Sequence, residues 1–172
     1  MKNQLFPLSI STTDGQFIAR YSARGLAALS FPKVGSARCA DRTSQRDVPT
    51  SKIPAQILRW HRATAAGLKS SLAGRKPKNL PPLDLAGGTA FQRNVWRALR
   101  KIQRGRTRSY GEIAQQIGKP RAVRAVGGAC GANPVPVFVP CHRVLAANKK
   151  LGGFSGGLDW KRNLLAREGI VL

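Results

Sequence analysis

The sequence predicts an α+β chain: a small N-terminal β-hairpin or sheet-plus-helix domain, followed by a mostly helical C-terminal domain with a helix-turn-helix and a short strand carrying a nucleophile. Three observations predict this. Turn signals separate short apolar runs in the first third of the chain. Two capping-box sequences open helices in the second half, the later one leading into a glycine turn and another helical stretch. Finally, an apolar run punctuated by Pro134 and Pro136 ends in Pro140-Cys141-His142-Arg143, a thiol beside an imidazole.

Taken in order, Ser11 to Phe31 reads as a β-hairpin or meander. Thr13-Asp14-Gly15-Gln16 is a turn signal, Phe17 to Tyr21 a strand, and Arg24-Gly25 turns the chain into Leu26 to Phe31. Residues 32–50 are polar with few apolar anchors and read as a loop. A helix starts near Pro54, a good first-turn residue, and runs to about Leu72. Ile57, His61, Thr64, Leu68 and Leu72 share one helical face, and Gly74 is the stop. His61 on that face reads as a structural or surface histidine rather than a ligand. Residues 75–84 have linker composition and place a domain boundary, dividing the chain into residues 1–80 and 85–172.

After the linker, Thr89-Ala90-Phe91-Gln92 is a capping box, and Phe91, Val95, Leu99 and Ile102 line the helix it opens, which Gly105 ends. Ser109-Tyr110-Gly111-Glu112 repeats that logic and opens a short helix, Glu112 to Ile117. Gly118-Lys119-Pro120 turns the chain into a second helix, Arg121 to Ala129, which completes a helix-turn-helix pattern. Ala122, Ala125, Gly127, Gly128 and Ala129 make that second helix unusually small-faced. An internal glycine costs a helix about 1 kcal/mol relative to alanine, so something must approach this backbone closely. Tight helix-helix packing is one answer, and a recognition helix in a narrow DNA groove is the other. Asn133-Pro134 breaks the helix, Val135 to Val139 is a short extended run, 149–157 is a glycine-rich loop, and Leu158 to Arg167 is a final helix with Leu164 and Leu165 inward.

Composition narrows the function. Thirty Lys plus Arg against 7 Asp plus Glu give a formal charge of +23, a field that draws polyanions, so nucleic acid is the first partner to consider against a merely solvated basic surface. No stretch approaches the roughly 20 apolar residues of a membrane-spanning helix. Met1 to Pro7 has no apolar core of signal-peptide length. Cys39, Cys130 and Cys141 are odd in number and unpaired in spacing, which points to free thiols in a reducing cytoplasm. Without a C-x-x-C or H-x-x-x-H anchor, no metal or other cofactor is expected.

A thiol reacts as thiolate, and at an ordinary pKa of about 8.5 only a few per cent is ionised at neutral pH. His142 helps Cys141 either directly, if the backbone turns between them, or through a bridging water. A histidine base needs its second nitrogen held. Of the acids after the linker, Glu112 caps a helix and Asp159 starts the last one. Glu168 is therefore the best candidate to orient His142, with a surface helix position as its alternative.

Pro140-Cys141-His142-Arg143, preceded by Asn133-Pro134-Val135-Pro136, resembles the active-site signature of the O6-alkylguanine-DNA alkyltransferases, also called methylated-DNA–protein-cysteine methyltransferases. The likeness extends over Phe91 to Trp96, Ser109-Tyr110-Gly111, Arg121 to Gly127, Phe154 to Gly157 and Leu164 to Gly169, about half the chain. It implies a DNA-repair reaction in which Cys141 takes the alkyl group from guanine O6, and from thymine O4, irreversibly and once per molecule. His142 would take the thiol proton through water, with Glu168 behind it. Tyr110 would donate to the departing guanine, and Asn133 would brace the turn between recognition helix and nucleophile. Arg124 would enter the duplex as the base is extruded. Arg121, Ala125, Gly127 and Ser109 would face the DNA, while Val144, Phe154, Ser155 and Gly156 would form the base pocket. The resemblance further implies a ribonuclease H-like N-terminal α/β domain, a monomer, and double-stranded DNA bearing O6-alkylguanine as partner. A non-catalytic lesion-binding module that recruits other repair factors is the alternative, which the presence of Cys141 disfavours. Cys39 and His61 are too few for a four-ligand zinc site, and Cys130 reads as a packing residue.

Overall fold

A computed structural model describes residues 4–32 and 53–172; almost all of the expected 32–50 loop, Cys39 included, lies outside the described residues. The chain begins with strands β1 (Phe6–Thr12), β2 (Gly15–Ser22) and β3 (Gly25–Ser30), an antiparallel meander in that order. The Thr13-Asp14 turn is where the sequence places it, with Thr12 paired to Gly15. The first strand starts at Phe6, earlier than expected; Pro7 is tolerated because β1 is an edge strand that need not donate at every position. Along β2, Phe17, Ala19 and Tyr21 alternate into the core and are fully buried.

Helix α1 (Ala55–Leu72) packs Ile57, Thr64, Leu68 and Leu72 inward, with Pro54 at its N-cap. His61, on the same side, shares a 3.2 Å hydrogen bond with the Tyr21 hydroxyl. The stretch with linker composition is docked rather than free. Leu26 N–H donates to the Pro82 carbonyl and Asp84 N–H to the Leu26 carbonyl, both at 2.8 Å, so the chain runs beside β3 like a further strand. The Asp84 carboxylate accepts from Ser22 Oγ at 2.6 Å. This close approach explains Gly25, where a Cβ would lie 2.1 Å from the Pro82 oxygen and φ is +143°.

Both capping boxes form. Thr89 and Gln92 open α2 (Ala90–Leu99), and Ser109 and Glu112 open α3, which spans Tyr110–Gln116 rather than starting at Glu112. Helix α4 (Val123–Gly131) starts two residues after Arg121, which stays outside it. Trp96 Nε1 donates 2.8 Å to the Ala129 carbonyl and pins α4 onto α2. The short parallel strands β4 (Arg108–Ser109) and β5 (Val144–Leu145) tie the start of the helix-turn-helix to the chain just beyond the thiol, and α5 (Leu158–Ala166) closes the fold.

The run Val135 to Val139 is not extended. Pro134 and Pro136 carry no N–H for a ladder, and the chain instead closes on itself, with Val139 N–H on the Val135 carbonyl at 2.9 Å and Val137 at φ +74°. Cys141 consequently lies not on a strand but at the head of a 3-10 turn (Cys141–Arg143) that leads into β5. One continuous cluster of buried residues joins Phe17 and Tyr21 of the sheet, Leu68 of α1, Val95 and Leu99 of α2, and Val139, Cys141 and Leu164 around the turn. Among the described residues no helix is long and apolar enough to cross a membrane.

Candidate active site

Cys141 is 3% exposed, and its Sγ accepts from Asn133 Nδ2 at 3.0 Å. The same amide nitrogen donates to the Val139 carbonyl at 2.8 Å, while Asn133 Oδ1 accepts from Val135 N–H at 3.0 Å. One side chain thus ties both ends of the Val135–Val139 run and also fixes the thiol. Burial pushes the thiol pKa up, and the Asn133 hydrogen bond and the Lys161 charge pull it back.

The 3-10 turn sends His142 away from its neighbour. His142 Nε2 lies 3.0 Å from Glu168 Oε1. A carboxylate accepts only, so Nε2 carries the proton and Nδ1 is left as the ring's acceptor. Nδ1 is buried and has no hydrogen-bond partner among the described residues. Burial lowers the pKa of His142, and its bond to Glu168 works in the opposite direction. Glu168, just past the end of α5, also holds Arg143, whose Nε and Nη2 donate at 2.9 and 2.8 Å while Nη1 donates to the Ile102 carbonyl at 2.7 Å. Burial alone would raise the Glu168 carboxyl, but the hydrogen bonds from His142 and Arg143 bring it down to about 2. His142, Glu168 and Arg143 therefore form a fixed, charge-assisted chain behind the thiol.

Sequence reasoning missed Lys161. It is fully buried on α5, and its Nζ donates to the Val144 carbonyl at 2.7 Å and to the Leu151 carbonyl. Burial lowers its pKa, while Cys141 and Cys130 favour its charge. The signal was present: Lys161 stands three residues before Leu164 and four before Leu165, on the helix face that points inward.

A separate cavity of about 600 Å³ brings together Tyr110, Arg124, Gly127, Phe154 and Ser155, with Val123, Gly131 and Gly153 as walls the sequence did not suggest. The Tyr110 ring lies on Gly152, where a Cβ would come 3.0 Å from its hydroxyl and φ is +64°. Burial raises the Tyr110 pKa. The remaining residues singled out from sequence lie elsewhere. Arg121 and Ala125 are exposed and do not line the cavity, Ser109 Oγ is occupied by the Glu112 N–H, and the Val144 carbonyl accepts from Lys161. Gly156 faces Phe31, whose ring stacks edge-on against Phe154 at 5.5 Å and also contacts Phe17 and Trp160. Cys130 is buried next to this site, and burial pushes its thiol up to about 12. Among the described residues no three His, Cys, Asp or Glu side chains gather as a metal site.

Residues 90–170 match the family described as 6-O-methylguanine DNA methyltransferase, DNA binding domain. The crystal structure of Mycobacterium tuberculosis OGT in complex with DNA is 37% identical with a TM-score of 0.71, over 93% of this chain and 90% of that one. The chain belongs to the O6-methylguanine-DNA methyltransferase family. A methylated-DNA–protein-cysteine methyltransferase of Mycolicibacterium paratuberculosis is 63% identical over 50% of this chain and 52% of its own length, and one of Salmonella typhimurium 48% identical over 62% and 64%. The matches thus span about half to just under two thirds of these curated relatives. In this O6-methylguanine-DNA methyltransferase family member the family match includes Cys141, His142, Glu168, Lys161 and the whole Tyr110–Ser155 cavity, whereas Phe31, which braces Phe154, lies outside it.

Proposed function

We propose that the chain repairs DNA by moving the alkyl group of O6-alkylguanine, and of O4-alkylthymine, from the duplex onto Cys141. The observation that carries this reading is the His142–Glu168 pair next to the buried Cys141, in which Nε2 is held by a carboxylate and Nδ1 is the acceptor left to take a proton. The thiol proton passes to Nδ1 through one water, and Cys141 attacks the alkyl carbon in line with O6. The S–C bond forms as the C–O6 bond breaks, guanine keeps the electron pair, and Tyr110 donates a hydrogen bond to the departing base. The thioether has no leaving group, so each molecule reacts once. Lys161 favours the thiolate from within the protein.

Chemistry on a stacked base requires extruding it, at a cost of a few kcal/mol. In this reading Arg124 fills the gap in the stack and the small residues of α4 let the backbone approach the groove; the exposure of Arg124 in the first turn of α4 and its place in the cavity lining support it. Arg121, Ala125 and Ser109 contact the flanking backbone in this reading, and Val144, Ser155 and Gly156 shape the base pocket. The same reading takes 1–80 as a ribonuclease H-like N-terminal domain and 85–172 as the alkyl acceptor, acting as a cytoplasmic monomer. Incubation with a duplex carrying radiolabelled O6-methylguanine tests it. Label moves to the protein once per molecule, and Cys141→Ala loses transfer while keeping duplex binding. Multiple turnover, or transfer to the Cys141→Ala variant, would refute it.

A further inference from the structure

Away from the Tyr110–Arg124 cavity, three hollows adjoin one another. The first, of about 610 Å³, is floored by Ile102, Val137, Phe138 and Leu164 and has His142 and Glu168 in its wall. It shares Arg75 and Lys76 with a second of about 680 Å³ that follows α1 to Lys78. It shares Lys101, Ile102 and Gln103 with a third of about 530 Å³ that reaches Arg106 and Arg108, immediately before the helix-turn-helix. The three form one trough, and none of its lining residues belongs to the cavity around Arg124.

The trough is basic along its whole length. Arg75, Lys76, Lys78, Arg100, Lys101 and Arg106 are exposed on it, and among the described residues none of the six pairs with a carboxylate. Glu168 is the single acid in its lining, and Glu168 is already committed to His142 and Arg143. Six cations without a carboxylate partner among the described residues repel each other on one concave surface and focus a positive potential, which an extended anion relieves. The charges are spread through three linked hollows rather than converging on one point. That arrangement fits a repeating phosphate chain better than a single phosphorylated small molecule.

We propose that this trough is a second nucleic-acid site, binding phosphodiester backbone separately from the helix-turn-helix. The proposal rests on the DNA-repair reading above. A second contact of this kind holds the protein on DNA while the α4 face samples bases, and it adds counterion release that carries no sequence information.

The test neutralises Arg75, Lys76, Arg100 and Lys101 together by substitution with Gln. Binding to unmodified 30-nucleotide single strands and to the corresponding duplex is measured from low to moderate salt. Each lost phosphate contact flattens the plot of log affinity against log salt by about 0.7 on single strands and about 0.9 on duplex, so a loss of roughly 3 to 4 is expected on at least one of them. Arg124→Ala keeps the steep slope, and alkyl transfer from the free O6-alkylguanine base is unchanged in the quadruple variant. An unaltered slope on both DNAs overturns the proposal. So does an equal loss when Arg24, Arg59, Arg62 and Arg162, four cations outside the trough, are neutralised instead, because bulk charge then explains the effect. A wild-type protein that accepts no alkyl group and binds neither DNA overturns the repair reading and the trough together. Transfer with normal slopes in the quadruple variant overturns the trough alone.

Discussion

Glu168→Gln removes one negative charge from a site where His142 and Arg143 both depend on it. The carboxyl falls from an ordinary 4.5 to about 2 in the folded protein. The folded pKa lies below the unfolded one, so its stabilising contribution is complete above about 4.5 and is lost as pH falls towards 2. At about 1.4 kcal/mol per pKa unit, the difference of roughly 2.5 units corresponds to about 3 kcal/mol. The side chain is only 10% exposed, so solvent screening takes away little of this. Urea unfolding of wild type and Glu168→Gln across pH 7 to 3 reads the effect directly. Wild type is the more stable at pH 7, by about 3 kcal/mol or somewhat more because Gln leaves Arg143 without its anion, and the two curves converge as the pH drops. Two pH profiles that run parallel would refute the reasoning. The substitution also slows alkyl transfer by about 100-fold, because His142 loses both its fixed tautomer and the partner of its protonated form.

Three further outcomes follow from the same geometry. Arg124→Ala slows transfer from duplex DNA at least tenfold but leaves transfer from the free alkylated base unchanged; equal slowing in both assays contradicts a role in base extrusion. Lys161→Met removes a buried cation from two carbonyls and from the neighbourhood of both thiols, lowering stability by about 2 to 4 kcal/mol and slowing alkylation of Cys141 by a small electrophile at fixed pH, which mass spectrometry of the adduct measures. Trp96→Phe takes away the 2.8 Å bond to the Ala129 carbonyl and costs about 1 to 2 kcal/mol in thermal unfolding, with duplex affinity falling as α4 loosens from α2.

The local rules of the sequence carried the helices well. Thr89 with Gln92 and Ser109 with Glu112 announce their capping boxes because each bond lies within one turn, and α1 follows from apolar spacing and Pro54. What was not legible depends on bonds between distant residues. The linker-like stretch docks because Leu26 offers it free backbone groups, a fact absent from residues 75–84 themselves. The Val135–Val139 run looks extended by composition but closes on itself, since Asn133 supplies bonds that a strand neighbour would otherwise give. Glu168 could be reached by elimination among few acids. Lys161 could not be separated from 29 other cations by type, only by its place on the inward face of α5. The cavity walls at Val123, Gly131 and Gly153 carry no chemical mark and become visible only in three dimensions.

The contact of Phe31 with Phe154 and Gly156 gives the end of β3 control over the gape of the cavity. Phe31 in turn sits against Phe17 and Trp160, so the sheet acts as a wedge behind the wall a substrate would meet. Two family members with the same Cys-His motif could then accept alkyl groups of different bulk because of a residue outside the matched region. Under the proposed alkyl transfer, the lever for admitting a larger adduct is position 31, more than a hundred residues from the thiol in sequence and untouched by any change to the motif.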